Sequence, residues 1–258
     1  MRTTRRRFAT STAAAALALG MALAGLPPRA RAGHPMLSED TGTQGTGNAE
    51  LELGYAWSQD DGTRSFLFQP QLSCGVTPSF DVIVQPSWLA NDDPVAGRAH
   101  GFGDSNLDVK WRFYGAAPLS LALRAGLDVA TGERALGLPH GESSAHALLV
   151  ATVDAQPFTL DANLGILRNP ADSGLRTEVY HPSAAALFAA SERLAFVLDA
   201  GADSNSDPHR REWPVVALAG AIYTVRPGLD VDIGYRAGLN AAAVAKQWLL
   251  GITYRWAP

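Results

Sequence analysis

The feature that most constrains the fold of this chain is an alternation of apolar and polar residues that recurs from Asn48 to the C-terminus. In residues 106–113, for example, Leu, Val, Trp and Phe alternate with Asn, Asp, Lys and Arg. Successive side chains of a β-strand point to opposite faces, so this period of two predicts strands with one apolar and one polar face. About twelve segments of roughly ten residues show it, a length suited to crossing a bilayer at a tilt. They cover residues 50–57, 65–72, 80–90, 106–113, 121–129, 144–156, 158–166, 178–190, 194–203, 213–225, 229–235 and 247–256.

The connections between these segments alternate in length. Long polar stretches are expected at residues 59–63, 91–102, 131–143, 169–177, 203–212 and 237–244. Tight links are expected at residues 77–79, 115–118, 156–157, 191–193 and 226–228. Neighbouring strands therefore run up and down, with every long loop on one rim and both termini on the other. No linker divides residues 48–258, which are expected to form one domain.

Period two alone does not decide which face meets water, because a soluble β-barrel with an apolar interior shows the same alternation. The polar face, however, carries many charges, and a barrel of about twelve strands is too wide for side chains alone to fill. A polar interior that wide holds water, whereas an apolar one would enclose a void. The charged residues expected to line the lumen and set its selectivity are Glu52, Asp108, Lys110, Arg112, Arg124, Asp128, Asp161, Asp230, Asp232, Arg236 and Arg255.

Aromatic residues at the ends of the predicted strands point to the same arrangement, because Trp and Tyr favour the interface between lipid and water. Closure of the sheet would also remove the unpaired edges that hydrocarbon does not tolerate. The sequence therefore predicts an all-β, transmembrane up-and-down antiparallel β-barrel of about twelve strands with its apolar face on lipid. The expected interface residues are Trp57, Trp88, Trp111, Trp213, Trp248, Tyr254 and Trp256.

The N-terminus has the pattern of a cleaved signal peptide covering residues 1–32. A basic start is followed by an apolar core, residues 13–26, that is too short to span a bilayer, and Ala30-Arg31-Ala32 supplies a small-x-small cleavage signature. Residues 4–8 fit an Arg-rich start of the general secretory route, which we favour, and also resemble a twin-arginine signal. Cleavage after Ala32 would leave residues 33–47 as a flexible periplasmic N-terminal segment.

Removal of residues 1–32 also changes the charge of the chain. It lowers the 21 basic residues to 15 against 25 acidic ones, a formal charge of −10. Nucleic-acid binding needs a basic face, so nucleic acid is excluded as a partner. The lone Cys74 cannot form an intrachain disulfide, and no Cys/His cluster has zinc-binding spacing.

Three stretches of the sequence carry a family resemblance. Residues 75–81 read Gly-Val-Thr-Pro-Ser-Phe-Asp, residues 101–113 begin Gly-Phe-Gly-Asp and end Lys-Trp-Arg-Phe, and residues 238–256 begin Gly-Leu-Asn and end Leu-Leu-Gly-Ile-Thr-Tyr-Arg-Trp. In this order they resemble the MetA-pathway phenol-degradation family of outer-membrane proteins. The resemblance spans most of residues 48–256 and implies an outer-membrane transporter barrel linked to the breakdown of aromatic compounds.

Two positions depart from the family pattern. Pro78 stands where the family usually has Asp, and Ala257 and Pro258 follow Trp256 where the family ends on an aromatic residue. A terminal aromatic is the signal that the barrel-assembly machinery reads on the C-terminal strand, so Trp256 is expected to serve from two residues inside.

The function expected from these features is a channel or passive transporter for small organic solutes, aromatic ones among them, in the outer membrane and surrounded by its lipid. No cofactor, metal or enzymatic activity is expected. One alternative is a structural barrel that anchors or displays loops without transport; its loop at Asp203, Asn205 and Asp207 lacks the later ligands of a calcium loop. Another is a barrel lipid hydrolase built on His146 with Ser143 and Ser144, or on His100 with Ser105 and Asn106.

Overall fold

The computed structural model describes residues 33–132 and 143–256, and within them fourteen β-strands form a single sheet. In those ranges no helix is long and apolar enough to cross a membrane. The strands are β1 (Ala49–Asp60), β2 (Thr63–Thr77), β3 (Phe80–Gln85), β4 (Trp88–Asp93), β5 (Gly97–Phe102), β6 (Ser105–Ala116), β7 (Leu119–Val129), β8 (Ser144–Ala155), β9 (Phe158–Arg168), β10 (Glu178–Ala189), β11 (Leu194–Ala202), β12 (Val215–Arg226), β13 (Leu229–Gly238) and β14 (Lys246–Trp256).

The sheet closes on itself as a barrel. β1 pairs antiparallel with β2 on one side and with β14 on the other, so the first and last strands are hydrogen-bonded neighbours. β3 and β4 are halves of one barrel strand interrupted around Pro86, which has no N–H to donate. β5 and β6 are likewise halves of one strand, interrupted at Gly103 and Asp104. The result is a closed antiparallel barrel of twelve strands, which confirms the fold predicted from the period of two.

The apolar stripe of the strands faces outward. On β14, Leu250 is 54% exposed and Ile252 42% exposed, whereas Thr253 between Ile252 and Tyr254 is fully buried. The same alternation runs through β9, where Leu164 is exposed and Asn163 is buried. Large apolar side chains thus cover the outside of the barrel, and the polar stripe faces its interior.

Most connections alternate between short and long, as expected. The rim with the short turns is called here the short-turn end. The opposite rim is the long-loop end. Two connections there are shorter than predicted. β1 and β2 join through Asp61 and Gly62, both with positive φ, as in the two-residue turns that match strand twist. Residues 91–102, predicted as a loop, form most of the β4–β5 hairpin, because the two strands stay paired as far as Asp93 and Gly97.

The seven predicted interface aromatics lie in two groups. Trp57, Trp88, Trp213 and Trp248 lie in the long-loop half, with Trp57 directly opposite Trp248. Tyr254 and Trp256 stack on each other near the short-turn end, and Trp111 lies in the same half. Six of the seven are exposed and Trp88 is half-buried. Their role at a membrane interface stays a prediction.

Residues 33–47 lie inside the barrel, and we call them the collar. Followed backward from Asn48, the collar meets β3 at Asp81, β8 at Thr152, β11 at Asp199 and finally β1 at Glu52. It therefore makes a full circuit of the inner wall. The prediction of a flexible segment in the periplasm is wrong for these residues, because the collar has partners on most strands. The predicted signal peptide, its cleavage site, residues 133–142 and the last two residues lie outside the described part.

The interior is not polar throughout. Apolar side chains of β10–β12, β1 and β14 form a buried cluster inside the barrel, and Met36 of the collar and Leu67 of β2 pack against it. These strands include the alanine-rich segments whose alternation is faint in the sequence. The interior therefore differs from the expected polar lumen on this side of the barrel, where apolar side chains line it. The cluster consists of Ala56, Ala185, Leu187, Val197, Leu218, Ile222 and Leu249.

The outward apolar stripe generates a first prediction. Leu164→Arg, at the centre of β9 and 65% exposed, should destabilise the barrel in a bilayer by about 2–4 kcal/mol, because it puts a charge against lipid tails. The measurement is the urea concentration at which the protein loses its folded migration on gels after insertion into liposomes. Val95→Arg at the tip of the β4–β5 hairpin, where Val95 is 94% exposed, is the control and should leave that concentration unchanged. Equal urea resistance of Leu164→Arg and the parent would contradict the assignment of faces.

Candidate functional site

The strongest attachment of the collar to the wall is an ion-pair cluster around Glu39. Its Oε1 lies 2.7 Å from Nζ of Lys110 on β6, and its Oε2 lies 2.5 Å from Nη1 of Arg124 on β7. Lys110 also contacts Asp40 at 3.2 Å. Burial by itself raises the pKa of the Glu39 carboxyl, but the positive charges of Lys110 and Arg124 outweigh that effect and lower it to about 2. Glu39 is therefore ionised at any physiological pH.

The cluster continues along the wall through Arg124 and His146. The Nε of Arg124 donates to Asp108 at 2.7 Å, and its Nη2 donates to Gln71 at 3.1 Å. Nε2 of His146 on β8 lies 3.0 Å from Asp108, and its Nδ1 lies 3.4 Å from Asp128. Cross-strand pairing explains why the residues of this cluster meet. Lys110 is directly opposite Arg124, and Gly126 lies between Asp108 and His146 on neighbouring strands.

On the opposite side of the barrel the collar is held mainly through its backbone. The N–H groups of Leu37 and Ser38 donate to one oxygen of Asp199 on β11, at 2.6 and 2.8 Å, and the Ser38 hydroxyl donates to the other. The Glu39 N–H donates to Asn163 on β9 at 2.7 Å. The collar thus satisfies its main-chain donors with wall side chains, as a buried segment without secondary structure must.

Glycines on the inner face of β12–β14 and β1 make room for His34 and Pro35. A Cβ at Gly234 would come within 2.9 Å of the Pro35 ring, and one at Gly251 within 2.4 Å of the His34 ring. The fully buried Pro35 lies against this surface, and His34 Nδ1 lies 2.6 Å from Asp232. Small residues at these positions let the collar approach the wall closely.

A second ion-pair cluster, called here the seam cluster, lies near the short-turn end. Arg255 of β14 lies between two acids, with Nε 2.5 Å from Glu50 of β1 and Nη1 2.7 Å from Asp230 of β13. β14 pairs with both neighbouring strands, so the cluster joins the two sides of the barrel seam. Arg255 therefore stabilises the closure and is not a free lumen charge.

A cavity of about 270 Å³ lies between the collar and the wall. Its polar wall includes Gln69, Gln247 and Arg236, and its apolar wall includes Leu67 and Leu249. The collar contributes residues 33–34 and 36–39.

Arg236 differs from the other arginines that line the interior. Among residues 33–132 and 143–256 its guanidinium makes no hydrogen bond or ion pair, and its buried Nε has no partner. Asp199 and Asp203 act on it electrostatically without direct contact. The cavity therefore contains a cation whose hydrogen-bonding capacity is free in the part of the chain that the structure describes.

Most of the eleven predicted lumen residues contact other charged or polar groups in the structure. They are therefore not free charges spaced along the lumen. Lys110, Arg124, Asp108 and Asp128 belong to the Glu39 cluster. Arg255 and Asp230 belong to the seam cluster. Glu52 and Asp232 accept hydrogen bonds from the collar, Asp161 accepts one from Thr152 at 2.6 Å, and Arg112 donates to the carbonyl of Pro78 near the short-turn end.

Sequence reasoning missed several of the residues that form these interior contacts. Glu50 is in phase with Glu52 on the polar face of β1, so the alternation would have found it. Asp199 lies in a faint strand, and its charge within an apolar segment is the signal that was available. Glu39 and His34 carry no such signal, because the collar has no periodic pattern.

The two histidines of the hydrolase alternative lack a serine partner in the described part. Both ring nitrogens of His146 face carboxylates, and the Ser144 hydroxyl donates to Asn169 instead. The His100 ring lies 6.1 Å from that of Trp88. Nor do residues 33–132 and 143–256 bring together three His, Cys, Asp or Glu side chains that could hold a metal ion.

The glycine surface predicts how the collar can be displaced. Gly234→Val would put a branched side chain where Pro35 packs, at a cost of about 1–3 kcal/mol. In a Cys74→Ser background, a Ser38→Cys reporter should then react with maleimide about tenfold faster or more. The control is Gly115→Val, where an added Cβ meets nothing nearer than 3.9 Å, and it should leave the reporter as protected as in the parent. Equal protection in Gly234→Val would mean that the collar does not occupy this surface.

The Glu39 cluster predicts a dependence on pH. Because the folded pKa of about 2 lies below the ordinary value of 4.5, the ionised carboxylate stabilises the fold above pH 4.5, and this contribution is lost as the pH falls toward 2. The difference in unfolding temperature between the parent and Glu39→Gln should stay constant from pH 7 to 5 and shrink below pH 4.5. A difference that already disappears at pH 6 would show that Glu39 is not held by these cations.

The fold is that of known outer-membrane barrels. An outer membrane channel from Pseudomonas putida F1 superimposes with a TM-score of 0.67 at 12% identity, over 88% of this chain and 100% of that one. The NanC porin gives a TM-score of 0.57 at 9% identity, over 81% of this chain and 100% of that one. The KdgM porin gives 0.55 at 7% identity, over 80% and 99%. At these identities the likeness shows the fold.

The sequence itself carries the family assignment. No curated protein matches the chain. A family model described as "Putative MetA-pathway of phenol degradation" matches residues 18–256, nearly the whole chain and all of the described barrel. The match agrees with the motifs at residues 75–81, 101–113 and 238–256. The chain therefore belongs to the MetA-pathway phenol-degradation family.

Proposed function

We propose that this protein is an outer-membrane channel that passes small organic solutes passively through the barrel interior. The observation that carries the proposal is the cavity of about 270 Å³ inside a closed barrel, with Arg236 in its wall, which has no direct partner among residues 33–132 and 143–256. A barrel that acted as an anchor alone would need neither free interior space nor a cation without a partner, which is costly to bury.

The location follows from the two faces of the wall. The outward stripe of Leu, Ile, Val and aromatic residues suits contact with lipid tails, and the closed ladder leaves no unpaired sheet edge in hydrocarbon. The predicted signal peptide, cleaved after Ala32, supports export, and the fold shared with outer-membrane barrels supports the outer membrane as the destination. Recognition of the C-terminal strand β14 by the barrel-assembly machinery belongs to the same proposal.

The solute class follows from the chemistry of the cavity. Arg236 supplies a charged donor for a carboxylate, while Leu67, Leu249 and Met36 supply apolar contact for the body of the molecule. The cavity is slightly smaller than the roughly 300–1,000 Å³ of pockets for drug-sized ligands, so it suits a small molecule. The family's link to phenol degradation favours aromatic acids within this class. Passage requires no covalent step, and no enzymatic activity is part of this proposal.

The remaining candidate is a structural barrel without transport. The collar and the buried cluster fill part of the interior and favour that alternative.

The two functions differ in ion current. Purified protein in a planar bilayer should give small, resolvable conductance steps if it is a channel, and none if it is an anchor. Uptake into proteoliposomes should be faster for benzoate than for a neutral sugar of similar size.

Arg236 generates a quantitative prediction for this channel. A charge-assisted hydrogen bond is worth about 1.5–3 kcal/mol, so Arg236→Gln should weaken benzoate binding or slow its uptake by about tenfold or more. Uptake of the neutral sugar should not change. Arg98→Gln is the matched control, because Arg98 lies exposed on the β4–β5 hairpin. Equal loss for benzoate and sugar would indicate a general narrowing of the channel and contradict a carboxylate site.

A further inference from the structure

The far end of the collar returns to the strand from which the collar departs. Gly33 lies beside β1, and its backbone N–H donates to Oε1 of Glu52 at 2.7 Å. The N–H of His34 reaches the same oxygen at 3.4 Å, and Gln71 of β2 donates to Oε2 at 2.9 Å. Glu52 is 8% exposed, so its carboxylate is almost fully removed from water.

Glu52 differs from Glu39 and Glu50, the other two acids of this kind near the collar, in having no ion pair in the described ranges. Within residues 33–132 and 143–256 it has three N–H donors and no ion pair, whereas Glu39 and Glu50 each contact an arginine at 2.5 Å. Burying a carboxylate without a compensating positive charge is expensive, even when hydrogen bonds are supplied. A primary ammonium group at the position of the Gly33 nitrogen would supply that charge at hydrogen-bonding distance.

The sequence offers a source for such an ammonium. Ala30-Arg31-Ala32 stands immediately before Gly33 and has the pattern that a signal peptidase cleaves. Hydrolysis breaks the peptide bond between Ala32 and Gly33, with water giving its hydroxyl to the Ala32 carbonyl. The Gly33 nitrogen gains a hydrogen from water and a proton from the solvent, and becomes a charged amino terminus.

We propose that the buried Glu52 carboxylate is the binding site for the amino terminus created at Gly33, and that this intramolecular ion pair locks the collar in the mature barrel. The uncleaved chain offers Glu52 a neutral amide at the same place; cleavage turns it into a cation. Maturation and completion of the barrel interior are thereby linked. The proposal does not depend on whether the interior conducts solutes.

The test begins with the protein from cell envelopes. N-terminal sequencing of the folded chain should give Gly-His-Pro as its first residues, which are residues 33–35. A different N-terminus on the folded protein would overturn the proposal, because the ammonium would then lie away from Glu52.

Four refolded chains then measure the ion pair directly. Two begin at Gly33 and two at Ala32, which moves the ammonium by one residue, and each start is made with Glu52 or with Glu52→Gln. With Glu52, the chain that begins at Gly33 should unfold at a temperature higher by about 5 °C or more. With Glu52→Gln, the chains that begin at Gly33 and at Ala32 should unfold at the same temperature, because no carboxylate remains to pair with the ammonium.

Comparison of the four unfolding temperatures separates the effect of the ion pair from a general effect of chain length. If the extra residue lowers the unfolding temperature equally in both backgrounds, the effect is steric and the proposal fails. Failure of the Ala32-starting chain to fold with Glu52, together with normal folding with Glu52→Gln, would support it. Conductance or its absence in these chains bears on the proposed function and not on the ion pair.

Discussion

The structure depends first on the closure of its hydrogen-bonded sheet. β1 pairs along its length with both β2 and β14, so the strands that begin and end the barrel have no free edge along the seam. In hydrocarbon an unpaired backbone group has no water to bond, and a closed ring is how a sheet avoids that cost. Once the ring closes, the period of two separates the surfaces, and each strand puts one stripe outside and the other inside.

Closure creates a second problem, because a ring of twelve strands encloses more space than its own inward side chains fill. This chain fills that space with the collar. On one side the collar meets the ion pairs of Glu39, Lys110 and Arg124, and on the other it packs through Met36 against an apolar cluster. Each charge in the Glu39 cluster has an opposite charge within contact distance, which offsets the cost of removing it from water.

The remaining space differs from the ion-pair clusters, because the arginines of those clusters are already paired. Arg124 and Arg255 each bind two carboxylates, whereas Arg236 faces the cavity without a direct partner in the described ranges. Under the proposed function, an interior packed in this way, with Arg236 as its cation without a direct partner in the described ranges, suits selective passage of small solutes better than bulk diffusion. The collar narrows the interior that the barrel wall alone would leave wide.

How much of this could be read from the sequence depends on the range of each interaction. Strand faces are local: residues 106–113 display their two stripes in eight consecutive positions, and the placement of Asp108 and Lys110 on the inside was predictable. The same rule predicted the outward position of Leu250 and Ile252. It was weakest for β10–β12, where apolar residues occupy the inward stripe as well and the alternation fades.

The barrel, its approximate number of strands and the two faces of its wall were therefore predictable from the sequence, because the alternation lies in neighbouring residues. What fills the barrel became visible only in the folded chain. Glu39 meets Lys110 and Arg124 from 71 and 85 residues away, and Leu37 meets Asp199 from 162 residues away. No local pattern encodes such contacts, since they exist only after the ring has closed and brought distant strands around one segment.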